Sequence, residues 1–228
     1  MISTVTMDSM CRPLLLGHRG SRATRTVPEN TIAAFDLALA HGCDGFEFDV
    51  RLTLDGQAVV CHDARIHGVE ISRTAVGNLA SLPLLAEVLS RYSPRAFLDI
   101  ELKVAGLERT VLEVLQASPP ERGYVLSSFV PEALTELGRL GSGLPLGLIC
   151  EDRTQLANWE CLPVSCVILE RRLAEENLVR ILHASGKKVF VWTVNEREQM
   201  RTLARWQVDA LISDDTQLLA EALRGGKV

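Results

Sequence analysis

The stretch Gly45-Phe46-Glu47-Phe48-Asp49-Val50-Arg51-Leu52-Thr53-Leu54-Asp55-Gly56-Gln57-Ala58-Val59-Val60-Cys61-His62-Asp63 alternates acids with large apolar residues, turns at Asp-Gly and returns to a His-Asp pair. Period-two alternation marks a strand with two different faces. Asp55-Gly56 is the preferred centre of a two-residue type I′ hairpin. Such a turn sets Leu54 opposite Gln57 and, counting back, Asp49 opposite His62. One face then carries Glu47, Asp49, Arg51, Val60 and His62; the other carries Phe46, Phe48, Val50, Val59 and Cys61. The hairpin folds His62 back to the level of two carboxylates. No helix separates the two arms, so the second is an arm of the first rather than a further repeating unit.

Outward from this hairpin the chain alternates apolar strand-like runs with helix-like segments. Strands are predicted over 14–18, 45–50, 96–103, 124–129, 144–150, 164–170, 188–194 and 209–214. The runs are short and almost continuously apolar, as strands buried on both faces are. Helices are predicted over 31–41, 84–92, 107–116, 131–140, 154–159, 174–184, 196–206 and 216–223, the fifth being short and weak. Alternating βα units imply a parallel sheet, and eight of them favour a closed (β/α)8 barrel, a TIM barrel in the α/β class. The expected organisation is a single domain over residues 1–228.

Bulk properties set the outer bounds. The chain has 228 residues, 47% hydrophobic, which is enough for one sizeable core. Its formal net charge of -5 argues against nucleic-acid binding. Residues 1–12 are mixed and polar, and no run approaches the roughly 20 apolar residues of a membrane span. The expectation is a soluble, cytoplasmic protein with no integral membrane segment. Cys11, Cys43, Cys61, Cys150, Cys161 and Cys166 form no Cys-x-x-Cys and read as reduced, buried, structural thiols.

In barrels of this kind reactive residues come from the C-terminal ends of several strands. Here the first strand ends in His18-Arg19-Gly20 and the second carries Glu47 and Asp49. The third reads Leu98-Asp99-Ile100-Glu101-Leu102-Lys103, which puts Asp99, Glu101 and Lys103 on the axial face and the three apolar residues under helices. Clustered carboxylates repel unless a proton or a cation compensates. Glu47, Asp49 and Glu101 read either as a hard-oxygen site for Mg²⁺ or Ca²⁺, or as a salt-bridge network with Arg19 and Lys103. His18 and His62, flanking that cluster, are candidates for general acid and base. His41, His67 and His183 gain no such support; His41 and His183 read as structural.

These residues resemble the glycerophosphodiester phosphodiesterase family. The resemblance rests on His18-Arg19-Gly20, Pro28-Glu29-Asn30-Thr31 with Ala34-Phe35, Glu47-Phe48-Asp49, Thr53-Leu54-Asp55-Gly56 and His62-Asp63. It continues through Ile100-Glu101-Leu102-Lys103, Ser127-Ser128-Phe129, Trp192-Thr193-Val194-Asn195 and the stretch from Val208 to Asp214. The resemblance implies hydrolysis of glycerophosphodiesters to an alcohol and sn-glycerol 3-phosphate. It implies a divalent metal, Mg²⁺ or Ca²⁺, at Glu47, Asp49 and Glu101, acid/base work at His18 and His62, and phosphate contacts from Arg19 and Lys103. Trp192 would line the site, either against the glycerol part of the substrate or simply packed in the barrel.

Two features depart from the family pattern. Residues 21–27 lengthen the loop before Pro28 and add Arg22 and Arg25, either solvated charges or extra phosphate contacts. The insertion after His62-Asp63 is short, over 63–82, and contains Arg65 and Arg73. A shorter cover implies a more open mouth, so a lysophospholipase D-like activity on lysophospholipids is an alternative. A non-catalytic glycerol-phosphate-binding barrel is a second, against which the paired histidines argue.

Overall fold

The computed structural model describes residues 12–23, 26–79 and 81–224. Strand β1 (Leu14–His18) is followed by α1 (Ile32–Ala40), β2 (Gly45–Leu52), β3 (Ala58–Val60) and a two-stranded excursion, β4 (Arg65–Ile66) and β5 (Val69–Glu70). Then come α2 (Leu85–Tyr92), β6 (Phe97–Leu102), α3 (Glu108–Ala117), β7 (Tyr124–Ser128), α4 (Pro131–Leu140), β8 (Leu146–Cys150) and α5 (Arg153–Leu156). The chain closes with β9 (Cys166–Glu170), α6 (Glu176–Ala184), β10 (Lys188–Trp192), α7 (Arg197–Arg205), β11 (Ala210–Ser213) and α8 (Thr216–Arg224).

Eight strands run parallel in the order β1-β2-β6-β7-β8-β9-β10-β11, and β11 pairs with β1 to close the barrel. This is the expected (β/α)8 architecture, with every predicted strand and helix present. The fifth helix is a single turn, as its weak pattern implied. Local chemistry starts the helices. Thr31 Oγ1 accepts from Ala34 N at the start of α1, Pro131 opens α4, and Asp152 accepts from Gln155 N at α5.

Two apolar layers follow from strand alternation. Leu16, Val125, Ile149, Ile168, Phe190 and Ile212 fill the barrel interior. Leu98, Ile100 and Leu102 point the other way, into the layer beneath the helices, with Phe46, Phe48 and Val50. There Phe35 of α1 stacks on Phe46 at 4.2 Å, and Tyr92 of α2 meets Phe46 edge-on at 4.9 Å. The opposite alternation turns Glu47, Asp49, Asp99 and Glu101 toward the axis, all of them buried.

The hairpin register differs by one residue from the sequence expectation. Val50 pairs with Val60 and Leu52 with Ala58, and Asp49 O accepts from Cys61 N at 3.0 Å, so Asp49 faces Cys61 rather than His62. The turn is a three-residue loop, Leu54-Asp55-Gly56. Gly56 alone of the three has a positive φ, +77°, whereas a type I′ turn needs two. Thr53 Oγ1 fixes the loop by donating to Asp55 Oδ1 at 2.6 Å and accepting from Gln57 N at 3.0 Å. The slip moves Val60 into the main core and puts Val59 and Cys61 on the other side, under Ile71 and Leu79 of the following segment. His62 lies beyond the last ladder pair, so its direction is set by the chain leaving the strand and not by alternation.

Cys43, Cys61, Cys150 and Cys166 are buried free thiols, as expected, but Cys161 is exposed, on the loop after α5. Cys11 and Arg25 lie outside the described residues. No helix among those described is long and apolar enough to cross a membrane.

Gly45 shows how tightly the barrel is drawn. A Cβ there would fall 1.8 Å from Phe97 O on the neighbouring strand. Gly45→Ala is expected to cost about 2–4 kcal/mol in urea unfolding, through backbone displacement at the β2–β6 seam. A change within about 0.5 kcal/mol would show that the seam is looser than described.

Candidate active site

The residues at the C-terminal mouth line a cleft of about 250 Å³ that includes His18, Arg19, Glu47, His62, Glu101, Lys103 and Trp192. All the sequence candidates except Asp49 line it directly. Asp49 is fully buried just behind, beside Glu47 and Glu101.

Ligand atoms of Glu47, Asp49 and Glu101 lie within 4.8 Å of one another. Among the described residues, neither Glu47 Oε1 nor Asp49 Oδ1 has a hydrogen-bond partner. The Lys103 ammonium lies 3.3 Å from Asp49 Oδ1 and 2.5 Å from Glu101 Oε1, the second a short charge-assisted contact. The salt-bridge alternative is therefore partly realised: Arg19 Nε also lies 3.3 Å from Asp49 Oδ2. It leaves Glu47 Oε1 with no hydrogen-bond partner among the described residues. Buried acceptors of this kind, all hard oxygens, suit Mg²⁺ or Ca²⁺.

The mouth is built by tight backbone turns. Arg19 and Gly20 both have positive φ, +55° and +83°. A side chain on Gly20 would collide with the Ala34 backbone at 2.6 Å, so only glycine fits there. The turn directs Arg19 N to Glu47 Oε2 at 2.9 Å. Asn30 receives the other side of this turn, donating its N–H to Arg19 O at 3.0 Å. Its side chain grips Asp49 twice: Nδ2 donates to Oδ2 at 2.7 Å, and Oδ1 accepts from Asp49 N at 3.3 Å. Glu29 takes Arg19 at 2.7 Å and Arg22 at 2.6 Å. Pro-Glu-Asn-Thr thus orients an arginine, fixes a carboxylate and starts α1.

His18 Nδ1 meets Asp214 Oδ1 at 2.8 Å, while Nε2 lies 3.9 Å from Glu47 Oε2. Asp214 is held in turn by Arg22 at 3.0 Å and by Asn195 Nδ2 at 2.7 Å. Arg22 is neither a loose surface charge nor turned to the cleft; it braces this pair. His62 Nδ1 meets Asp63 Oδ1 at 2.8 Å, and His62 O accepts from Arg51 Nε at 2.8 Å. Among the described residues Arg65 reaches only Glu70, at 3.5 Å, and Arg73 is exposed. His41 and His183 bond Thr216 and Asp209, which matches their structural reading.

Sequence reasoning missed Glu29, Asn30, Asn195 and Asp214 as partners of the cluster. Barrel closure was the available signal for Asp214. It follows β11, which lies beside β1 with Ser213 opposite Gly17, so it had to arrive next to His18.

Electrostatics reflect the crowding. Burial drives the Glu47 carboxyl well above the usual carboxylate range, and Asp49, Glu101 and Asp99 add to it. Burial pushes Asp99 up to about 7 despite the hydrogen bond from Ser127. Burial and the Asp49 charge raise Glu101 to about 7 against the pull of Lys103. At Asp49 burial is outweighed by Lys103, Arg19 and Asn30, and its carboxyl is held below the usual range. Burial lowers His18 in spite of Asp214.

A raised carboxyl pKa favours the fold while the group is protonated and loses that contribution as pH rises through the folded value. For Glu101 the loss falls between 4.5 and about 7. Glu47 and Asp99 add to it, and the single lowered imidazole of His18 opposes it only partly. In EDTA the unfolding midpoint is expected to fall between about pH 5 and about pH 7.5. Ca²⁺ or Mg²⁺, which binds the ionised carboxylates, is expected to reverse that fall and to stabilise more at the higher pH. A cation effect equal at both pH values, or none, would contradict this reading of the cluster.

The chain matches the model of the glycerophosphoryl diester phosphodiesterase family over residues 18–85 and 84–218. It is 28% identical to a glycerophosphodiester phosphodiesterase of Caldanaerobacter subterraneus over 94% of this chain and 99% of that protein. It is 28% identical to probable glycerophosphodiester phosphodiesterase 2 of Mycobacterium tuberculosis over 92% and 90% of the two chains. The solved glycerophosphodiester phosphodiesterase of Thermotoga maritima superposes with a TM-score of 0.79 at 28% identity, covering 92% of this chain and 98% of that one. A phosphodiesterase of Oleispira antarctica, solved in complex with the product sn-glycerol-3-phosphate, superposes with a TM-score of 0.81 at 26% identity over 92% and 96%. With a family match over most of its length and a barrel of the same architecture, the chain belongs to the glycerophosphoryl diester phosphodiesterase family.

Proposed function

We propose that the protein hydrolyses glycerophosphodiesters to an alcohol and sn-glycerol 3-phosphate, using a divalent cation held by Glu47, Asp49 and Glu101. The observation that carries this reading is the trio of buried carboxylates, with Glu47 Oε1 unpartnered among the described residues, in a mouth that also holds two histidines. The names of the relatives and the product found with the Oleispira enzyme support it. The whole chain, 1–228, acts in this reading as one barrel domain in the cytoplasm, with 63–82 as a shortened cover.

When bound, Mg²⁺ or Ca²⁺ would supply Lewis-acid neutralisation of charge on the phosphate. Arg19 and Lys103, both lining the cleft, add positive charge for the non-bridging oxygens. His18 acts as base. Asp214 is pulled to about 2: burial would raise it, but His18, the hydrogen bond from Asn195 and the charge of Arg22 prevail, so it has no proton to give. Nδ1 of His18 therefore donates to Asp214, and Nε2 is left to accept the proton of the nucleophile as its oxygen bonds to phosphorus, the nucleophile being water or the glycerol 2-hydroxyl, whose cyclic phosphate water then opens. His62, oriented by Asp63, delivers a proton to the leaving oxygen as the bond from phosphorus to the alcohol breaks. Trp192 contacts the substrate; its ring lines the cleft and its buried Nε1 has no hydrogen-bond partner among the described residues.

A second reading, hydrolysis of lysophospholipids, draws support from a separate groove of about 340 Å³ in which Leu52, Leu54, Ile71 and Val104 stand beside Arg51, Thr53 and Ser72. Its apolar side chains would take part of an acyl chain.

The test offers glycerophosphocholine, glycerophosphoethanolamine and a lysophospholipid, with and without EDTA, and measures released glycerol 3-phosphate and headgroup. Turnover of the first two that stops in EDTA is expected. Turnover indifferent to EDTA would remove the cation from the mechanism, and no turnover would favour a binding protein. His18→Ala and His62→Ala are each expected to lower kcat by about 10²–10⁴-fold. Asp214→Asn is expected to lower kcat by less, with KM kept and the acid limb of the pH profile displaced. Near-normal kcat in either histidine variant would end its assigned role.

A further inference from the structure

The cleft has a polar side, where carboxylates and histidines converge, and an apolar side. Ile149, Ile168 and Ile212 are buried and close its floor. Phe129 and Trp192 pack against this layer and meet edge to face, with centroids 5.5 Å apart. Glu151 is the one exposed residue among those lining the cleft. It follows Cys150 at the end of β8. Since Cys150 lies opposite Leu169, Glu151 falls at the step of Glu170, whose neighbour on β10 is Trp192.

The turn around Glu151 is fixed from both sides. Its N–H donates to Gln155 Oε1 at 2.6 Å, and the next residue, Asp152, is committed to capping α5. The Glu151 carboxylate itself has no hydrogen bond or ion pair with any described residue. Glu170, one strand over, is by contrast bonded to Arg172 at 2.7 and 3.1 Å. Arg171 and Arg172 both pair with Glu170, whereas no described residue pairs with the Glu151 carboxylate.

An uncompensated carboxylate at the rim of a cleft that Trp192 also lines is a seat for a cation. A diester whose phosphate lies by Arg19 and Lys103 must send its alcohol arm outward, because the floor is closed. We propose that Glu151 is a specificity-determining residue that selects diesters whose alcohol carries a positive charge, an amino alcohol with a primary or quaternary ammonium. This rests on the glycerophosphodiesterase reading above. The pairing is solvent-exposed, so it favours the charged alcohol by about fivefold and weakens as salt is added.

The experiment compares kcat/KM for glycerophosphocholine and glycerophosphoethanolamine with that for glycerophosphoglycerol, whose alcohol is neutral, in the wild type, Glu151→Gln and Glu151→Lys. The cationic-to-neutral ratio is expected to fall about fivefold in Glu151→Gln and further in Glu151→Lys. A ratio unchanged in both variants overturns the proposal. That includes an equal loss on all three diesters, which would put Glu151 on the shared glycerol. Absence of turnover in the wild type would instead sink the glycerophosphodiesterase reading. The same ratio, read from calorimetric Kd values of the three compounds, still decides the role of Glu151.

Discussion

Three carboxylates buried within 4.8 Å of one another are the constraint on which the rest of the mouth depends. Removing even one ionised carboxylate from water costs several kcal/mol unless it is paired and hydrogen-bonded. Here the pairing is shared out. Lys103 lies against Asp49 and Glu101, Arg19 against Asp49, and the backbone N–H of Arg19 against Glu47. Asn30 completes Asp49. Asp49 ends below the usual carboxylate range, while Glu47 and Glu101 end above it because burial is offset less fully. An acidic cluster compensated this unevenly is poised to exchange protons for a cation.

Meeting that constraint recruits segments far apart in sequence. The glycine turn after β1 aims an amide at Glu47, and the left-handed Asn30 locks that turn to Asp49. Glu29 and Arg22 extend the network to Asp214, and Asn195 fixes Asp214 from the loop after β10. His18 thus sits between the carboxylate cluster on one side and a braced carboxylate on the other. The same interlock that stabilises buried charge sets the orientation of the imidazole.

The fold was legible because parallel barrel strands are short, apolar runs separated by amphipathic helices, and the alternation at Leu98-Asp99-Ile100-Glu101 divided the axial from the helical face correctly. The cluster was legible for the same reason: Glu47, Asp49 and Glu101 share one parity on adjacent strands, with Asp49 opposite Glu101. The hairpin register was not. Both a two- and a three-residue loop place Gly56 in the turn, and the choice lies with Thr53, whose hydroxyl bridges Asp55 and Gln57. His62 reached the cleft even so, because it lies past the ladder. Contacts made by loop residues across the mouth, such as Asn30 to Asp49 or Asp214 to His18, have no periodicity to reveal them; they follow from barrel closure, which places the last strand beside the first.

The central claim is that the carboxylate trio is a cation site. Its most direct test is calorimetric titration of Ca²⁺ or Mn²⁺ into the EDTA-stripped protein at neutral pH, beside Glu47→Gln, Asp49→Asn and Glu101→Gln. One ion per chain in the wild type, accompanied by proton release and lost or greatly weakened in each variant, is the predicted result. Absence of binding in the wild type, or binding undiminished in folded variants, would contradict it.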